Sequence, residues 1–207
     1  MSVAALVRPV LTFEEEDHAY YANGRRVDSV TQVLTQVWPE AWPWRNEFAL
    51  ERGRKVHQAL HLWIMNDLDA DSLSPYIAGY VASGIRWLMD SGFEIATHEG
   101  RPASEVRMYS LAYDTAGTAD LFGACDAKAT CADFKTGDPG WSCGPQTWMY
   151  GSMWQELTGE VIRQRLGVWL DGDGGEPKII TYPDHRNDQA DFLAALRVLQ
   201  RRRMLTS

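Results

Sequence analysis

Residues 116–137 read AGTADLFGACDAKATCADFKTG, and this segment constrains the chain more than any other. It reads as two β-strands joined by a hairpin, with Asp120 leaving the first and Asp133-Phe134-Lys135 in the second. A strand repeats every two residues, so Asp133 and Lys135 share one side while Phe134 points the other way, into a core. A carboxylate and an ammonium then stand together, with a second carboxylate on the neighbouring strand. Two acidic groups near a lysine can hold a hard divalent cation and position a water, the combination that phosphodiester hydrolysis needs.

Alone, an Asp-x-Lys is an ordinary solvated edge pair. Its flanks argue for more. Ala132 and Phe134 mark a buried face, and Thr136-Gly137-Asp138-Pro139-Gly140 is turn chemistry at the end of the strand, where functional groups are displayed. Gly117-Thr118-Ala119 lets the backbone before Asp120 be approached closely.

Other segments fall into order around this pair. Arg52-Gly53-Arg54-Lys55-Val56-His57 is a helical stretch with Gly53 one turn before His57; Ser104-Glu105-Val106 opens a strand; Gln146 and Tyr150 lie four apart on one helix face. Read singly, His57 is a structural helix histidine, with His61 a weaker competitor. Glu105, or Glu99 in its place, is a solvated strand residue, and Gln146/Tyr150 an ordinary helix face. Together with GTAD and DFKTG, and with Ser29-Val30-Thr31 near the start, they resemble the PD-(D/E)XK nuclease superfamily. The match is to its RecB-like exonuclease branch of stand-alone phage and bacterial type, in which a His, a Glu, an Asp, a D-x-K and a Q-x-x-x-Y occur in this order. The resemblance runs from about residue 20 to the C-terminus.

The resemblance implies an α/β fold: a mixed central β-sheet flanked by helices, a restriction-endonuclease-like core with N-terminal helices packed on or over it. It implies Mg²⁺ or Mn²⁺ held by Asp120, Asp133, the Phe134 backbone carbonyl, His57 and Glu105. Lys135 would orient the nucleophile or stabilise the transition state, and Gln146 and Tyr150 would line the site. The implied activity is two-metal DNA exonuclease action in phage or bacterial recombination and repair. Its partners would be DNA, as linear duplex or single-stranded ends, and a recombination or single-strand-binding protein, with oligomers allowed. A structure-selective endonuclease on the same fold and a non-catalytic nucleic-acid- or protein-binding module remain alternatives.

With 207 residues the expectation is one domain, comprising a hairpin and helical part over about 12–90 and a catalytic α/β core over about 93–207. No apolar run reaches the length of a membrane span, and Met1–Leu11 lacks a secretory profile, so a cytoplasmic protein with no membrane partner is expected. Three cysteines, Cys125, Cys131 and Cys143, are too few for a disulfide framework. Some RecB-like relatives carry a four-cysteine iron–sulfur cluster; the N-terminal region here has no cysteine, and no cluster is expected.

A net charge of −8 disfavours nucleic-acid binding as a global property, so positive groups must be concentrated locally. Arg25 and Arg26 at a hairpin, Arg45, and Arg52, Arg54 and Lys55 beside His57 are the DNA-binding candidates. Arg201-Arg202-Arg203 reads as a solvated helix end, with a mild dipole benefit.

The chain begins with a hairpin over His18–Val27 around Asn23-Gly24, then a short helix capped by Ser29 or Thr31 and ending near Val37. A Trp38–Trp44 loop holds two prolines, and Trp42 or Trp44 is a candidate for stacking on an unpaired base. Helices are expected over Arg45–Asp67, with Phe48, Val56, Leu60 and Ile64 as its apolar stripe, and over Leu73–Met89. Strands follow near Phe93–Thr97, Ala103–Ser110, Thr115–Phe122 and Lys128–Lys135, then a helix over Pro145–Thr158. Strands near Val161–Trp169 and Lys178–Tyr182 and a helix over Asp188–Met204 complete the order. Trp141, Trp148 and Trp154 are expected in the core.

Overall fold

A computed structural model of the chain describes residues 8–37, 47–137 and 139–206. Trp38–Trp44, Arg45 and Asp138 therefore lie outside the described residues. The elements are strands β1 (Leu11–Glu14), β2 (Ala19–Ala22) and β3 (Arg25–Ser29), then helices α1 (Val30–Val37), α2 (Glu47–Ile64) and α3 (Pro75–Asp90). Strands β4 (Glu94–Ile95), β5 (Thr97–His98), β6 (Arg101–Pro102), β7 (Ser104–Ser110), β8 (Thr115–Cys125) and β9 (Lys128–Lys135) follow. Helix α4 (Cys143–Thr158), strands β10 (Gln164–Trp169) and β11 (Lys178–Thr181) and helix α5 (His185–Thr206) end the order.

Local chemistry explains most of these boundaries. Asn23 and Gly24 both take left-handed backbone and turn β2 into β3, as a two-residue hairpin requires. A reciprocal capping box starts α1: the Ser29 hydroxyl accepts the Gln32 N–H at 3.1 Å, and the Gln32 side chain accepts the Ser29 N–H at 3.0 Å. Helix α2 stops in a Schellman motif. Asn66 is left-handed, its N–H bonds the Trp63 carbonyl, and the Asp67 N–H bonds the Leu62 carbonyl.

The main sheet runs β1-β2-β3-β8-β9-β10-β11, with β4 and β7 also paired to β8. β3 with β8 and β9 with β10 are parallel; the other pairs are antiparallel, so the sheet is mixed. Leu121 pairs with both Ser104 of β7 and Ala132 of β9, which puts those strands on opposite edges of β8. β3 shares the β9 edge, pairing only at Thr115 and Ala116. Between them, residues 117–120 have no strand partner on that edge among the described residues.

Helices cover both faces. α2 and α3 bury Val56, Leu60, Ile77, Val81 and Trp87 against Leu121, Phe134, Leu166 and Val168. On the other face α1, α4 and α5 bury Val33, Leu34, Met149, Met153, Phe192 and Leu196 against Phe122 and Cys131. The chain is thus α/β with a mixed central sheet flanked by helices. No helix among the described residues is long and apolar enough to cross a membrane.

Two expectations about the core need correcting. Phe48 is 60% exposed and packs against Tyr76 with the rings tilted and their centroids 4.4 Å apart. A row of every fourth residue winds about 40° per step around a 3.6-residue helix, so Phe48 lies about 160° from Ile64. Trp141 is 42% exposed because it precedes α4 and does not share that helix's buried surface; Trp148 and Trp154 are core.

Candidate functional site

The antiparallel ladder between β8 and β9 ends at Leu121 opposite Ala132, and the next residues on each strand are Asp120 and Asp133. Where the strands part, an Asp120 oxygen accepts the Phe134 N–H at 2.7 Å. Phe134 packs into the α2/α3 core, as the period-two reading requires, and Asp133 faces α4.

β7 adds an irregularity at the same level. The β7/β8 register places Glu105 opposite Asp120, but pairing is interrupted there, and Glu105 has left-handed backbone with φ +52°. Residues two apart in a strand normally share a face. Here Ala119 belongs to the α1/α4/α5 core and Leu121 to the α2/α3 core. Across from them, Val106 joins the α1/α4/α5 core, while the Ser104 hydroxyl meets His61 of α2 at 3.0 Å. Alternation reverses on both strands at the Glu105–Asp120 level. A non-glycine left-handed residue costs free energy and persists where its surroundings hold it, commonly at functional sites.

From α2, His57 places Nδ1 3.2 Å from an Asp120 oxygen and 3.9 Å from a Glu105 oxygen. One ligand atom from each of His57, Glu105 and Asp120 lies within 4.8 Å of the others, so the three can hold a metal ion. Asp133 stands apart from this group. Its carboxylate forms a close ion pair with Lys135, accepts the Gln146 side-chain amide at 3.3 Å and lies 3.9 Å from the Cys143 thiol. Lys135 also donates to the Gln146 carbonyl oxygen at 3.1 Å, and Gln146 donates to the Tyr150 hydroxyl at 3.2 Å. Gln146 thus ties lysine, aspartate and tyrosine into one network. Both aspartates are buried, Asp133 to 1% exposure and Asp120 to 6%.

Burial and the neighbouring charges together set the protonation of these groups. Burial raises the Glu105 carboxyl to about 7, Asp120 adding to the effect and His57 opposing it. Burial likewise lifts Asp133 to about 6, against the pull of Lys135. Asp120 goes the other way: burial would raise it, but His57, Lys135 and the Phe134 N–H together hold it below the usual carboxylate range. Burial opposes a charged His57, yet Asp120 and Glu105 outweigh it and raise the imidazole to about 9. Lys135 is held above its ordinary value, because Asp133 and its acidic neighbours overcome the cost of burial. Burial, with Asp133 nearby, pushes the Cys143 thiol up to about 12.

The expected residues thus fall into two groups, His57, Glu105 and Asp120 in one and Asp133, Lys135, Gln146 and Tyr150 in the other, joined where Asp120 accepts the Phe134 N–H; the expected metal set had counted Asp133 with the first. The basic candidates divide. Arg54 and Lys55 are exposed on α2, Lys55 paired with Glu51 at 2.7 Å. Arg52 instead braces the site: it donates to the Thr136 carbonyl at 2.9 Å and lies over the Tyr80 ring at 5.0 Å. Arg25 pairs with Asp114 at 2.5 Å, and Arg26 is exposed at the hairpin. Arg202 donates to the Gln36 carbonyl and Arg203 pairs with Asp28, so two of that cluster are tied down, while Arg201 is exposed as expected.

Sequence reasoning missed Cys143 and Tyr20. The Tyr20 hydroxyl is 2.7 Å from the Thr118 hydroxyl, two residues before Asp120. For Cys143, the first residue of α4, the one signal in the sequence was its place just after the Asp120/Asp133 hairpin. Gly117 was noted for close approach, and a Cβ there would meet the Tyr150 ring at 2.8 Å.

No family model and no curated protein matches the chain. Among solved structures, the crystal structure of SSO0001 is similar over 84% of each chain at 13% identity with a TM-score of 0.38, too slight a likeness to bear on function.

Proposed function

We propose that this chain is a metal-dependent DNA nuclease of the PD-(D/E)XK type, similar in its motif order to RecB-like exonucleases. The observation that carries the reading is the splitting of β8 from β9 at Asp120 and Asp133-Phe134-Lys135, with His57 and Glu105 within reach of Asp120. The donor set fits a hard divalent cation. It joins one imidazole to carboxylates, of which burial first and the nearby Asp120 second have raised Glu105 and Asp133.

His57, Glu105 and Asp120 would hold Mg²⁺ or Mn²⁺, with Asp133 and the Phe134 carbonyl completing the set. The cation would supply an acidified water and positive charge against the developing phosphorane. A second ion, as a two-metal mechanism needs, would draw on Asp133, which must then share its carboxylate with Lys135. Lys135 stays charged and so cannot act as a neutral base; it orients the attacking water or stabilises negative charge on the phosphate. Gln146 fixes Lys135 against Asp133, and Arg54 and Lys55 offer phosphates an exposed positive face beside the His57 helix.

Incubation with end-labelled linear DNA and with closed circular DNA, in Mg²⁺, Mn²⁺ or EDTA, tests the reading. Metal-dependent release of label from linear DNA alone indicates an exonuclease, and cutting of the circle an endonuclease. Retention of DNA without turnover in any metal would replace the enzyme with a binding module.

A further inference from the structure

Arg165 of β10 has no place in the chemistry just described, yet it is among the most deeply buried side chains of the protein, 1% exposed. In the parallel β9/β10 ladder it stands level with Cys131, two residues before Gly167, the partner of Asp133. Its guanidinium joins three elements. Nη1 donates to the Gly144 carbonyl in the first turn of α4 at 2.8 Å. Nη2 donates to the Tyr182 carbonyl just after β11 and to the Asp188 carboxylate in the first turn of α5, each at 2.7 Å.

A buried ion pair is a poor device for stability alone, because apolar side chains of similar volume often do as well or better. A forked, planar cation can instead fix three acceptors in one geometry. Two local features show that α4 depends on such a fixture. Its N-cap residue, Ser142, makes no side-chain capping bond, and the local bonds of the first turn, from the Gly144 N–H to the Trp141 carbonyl and from the Thr147 hydroxyl to the Cys143 and Gly144 carbonyls, tie it to no other element. Gly144 admits the Asp188 carboxylate so closely that a Cβ there would collide with Oδ1. Two residues beyond Gly144 is Gln146, whose amide meets Lys135, Asp133 and Tyr150.

We infer that Arg165, with Asp188, is a positioning residue that sets the first turn of α4 and through it the placement of Gln146 over Asp133 and Lys135. The inference rests on the nuclease reading for its consequence, though not for its geometry. A helix end displaced by about 1 Å would part Gln146 from both partners, and a misplacement of that size can cost about a hundredfold in rate.

Arg165→Met, Arg165→Lys and Asp188→Asn test it, each first checked for native circular dichroism. Side-chain amide resonances of Gln146, assigned by their loss in Gln146→Glu, report its position without reference to activity. The expected result in Arg165→Met is a shift of those resonances and a kcat about 10- to 100-fold lower, with KM for DNA within about threefold. Arg165→Lys should recover part of both effects, since the three donors of an ammonium radiate from one nitrogen and cannot span acceptors held by the two ends of a fork. If Arg165→Met does not fold, Arg165→Lys and Asp188→Asn carry the same readouts. Folded variants with wild-type Gln146 resonances and wild-type kcat, differing only in melting temperature, would overturn the inference. Should the wild-type protein leave DNA intact, the nuclease reading falls, while the Gln146 resonances still decide the role of Arg165.

Discussion

The Asp120 carboxylate accepts the Phe134 N–H at 2.7 Å across the point where β8 and β9 stop pairing. A carboxylate here replaces the carbonyl that a continued ladder would have supplied, so the strands separate without orphaning a buried amide. The separation matters because it frees both aspartates from the ladder, Asp120 to meet His57 and Asp133 to meet Lys135 and Gln146. The same bond fixes Asp120 to the strand that carries Lys135.

Asp120 therefore has two duties that substitution can part. Asp120→Ala removes the acceptor for Phe134 and the partner of His57, and should cost about 1–3 kcal/mol of stability. Asp120→Asn keeps an acceptor oxygen and should be closer to wild type in thermal unfolding. Both should lose DNA cleavage by several orders of magnitude in Mg²⁺, since both weaken the ion site. Wild-type turnover in EDTA would contradict the metal-dependent reading.

Lys135→Ala should separate chemistry from binding. Lys135 contacts Asp133 and Gln146 and is absent from the His57–Glu105–Asp120 group. Calorimetry with Mn²⁺ and a DNA gel shift should show binding retained, while turnover falls steeply. Cleavage at close to the wild-type rate would reduce Lys135 to a structural counter-ion of Asp133.

Protonation of the site gives the metal-free protein an unusual pH dependence. Glu105, Asp133 and His57 all have folded pKa values above their ordinary ones, about 7, 6 and 9. At these three groups the folded chain thus binds more protons than the unfolded chain between about pH 4 and 9, and their contribution to stability falls as pH rises through that window, opposed by His61 and His185, which burial lowers. Asp120 contributes oppositely, but only on the acid side, because its folded pKa is depressed. Thermal unfolding in EDTA should show a lower melting temperature at pH 9 than at pH 5. Mn²⁺ should raise it more at pH 8 than at pH 6, where protons compete for the same ligands. A metal-free melting temperature that climbs from pH 5 to pH 9 would contradict this account.

The strands around the site were legible because their residues obey one local rule. β9 occupies Lys128–Lys135, the bounds that its apolar alternation indicates, and Phe134 turns inward from it. Glu105 and Asp120 break that rule. Nothing in Ser104-Glu105-Val106 demands left-handed backbone, so the reversal of faces on β7 and β8 follows from packing and not from local propensity. The depth of Asp133 was equally hidden, since α4 supplies Gln146 and Cys143 from a separate part of the chain. Strand β1 escaped notice because four residues of half-buried alternation leading into Glu15-Glu16 carry little signal.

The last prediction concerns how an acidic chain would hold DNA. Arg54 and Lys55 are the exposed cations beside His57, whereas Arg52 is committed to Thr136 and Tyr80. Reversing Arg54 and Lys55 to Glu should weaken DNA binding and flatten its salt dependence, by about one unit of log–log slope for each phosphate no longer neutralised. The exposed pair of Lys55 with Glu51 contributes little to stability, so the fold should survive. The control is Arg197→Glu with Arg201→Glu, exposed on α5 and equal in charge change. Arg202 and Arg203 are unsuitable for it, because their reversal would also undo their bonds to Gln36 and Asp28. A purely global electrostatic effect treats both pairs alike. Weakening confined to the α2 pair would locate the DNA path along the His57 helix; equal weakening would place it elsewhere.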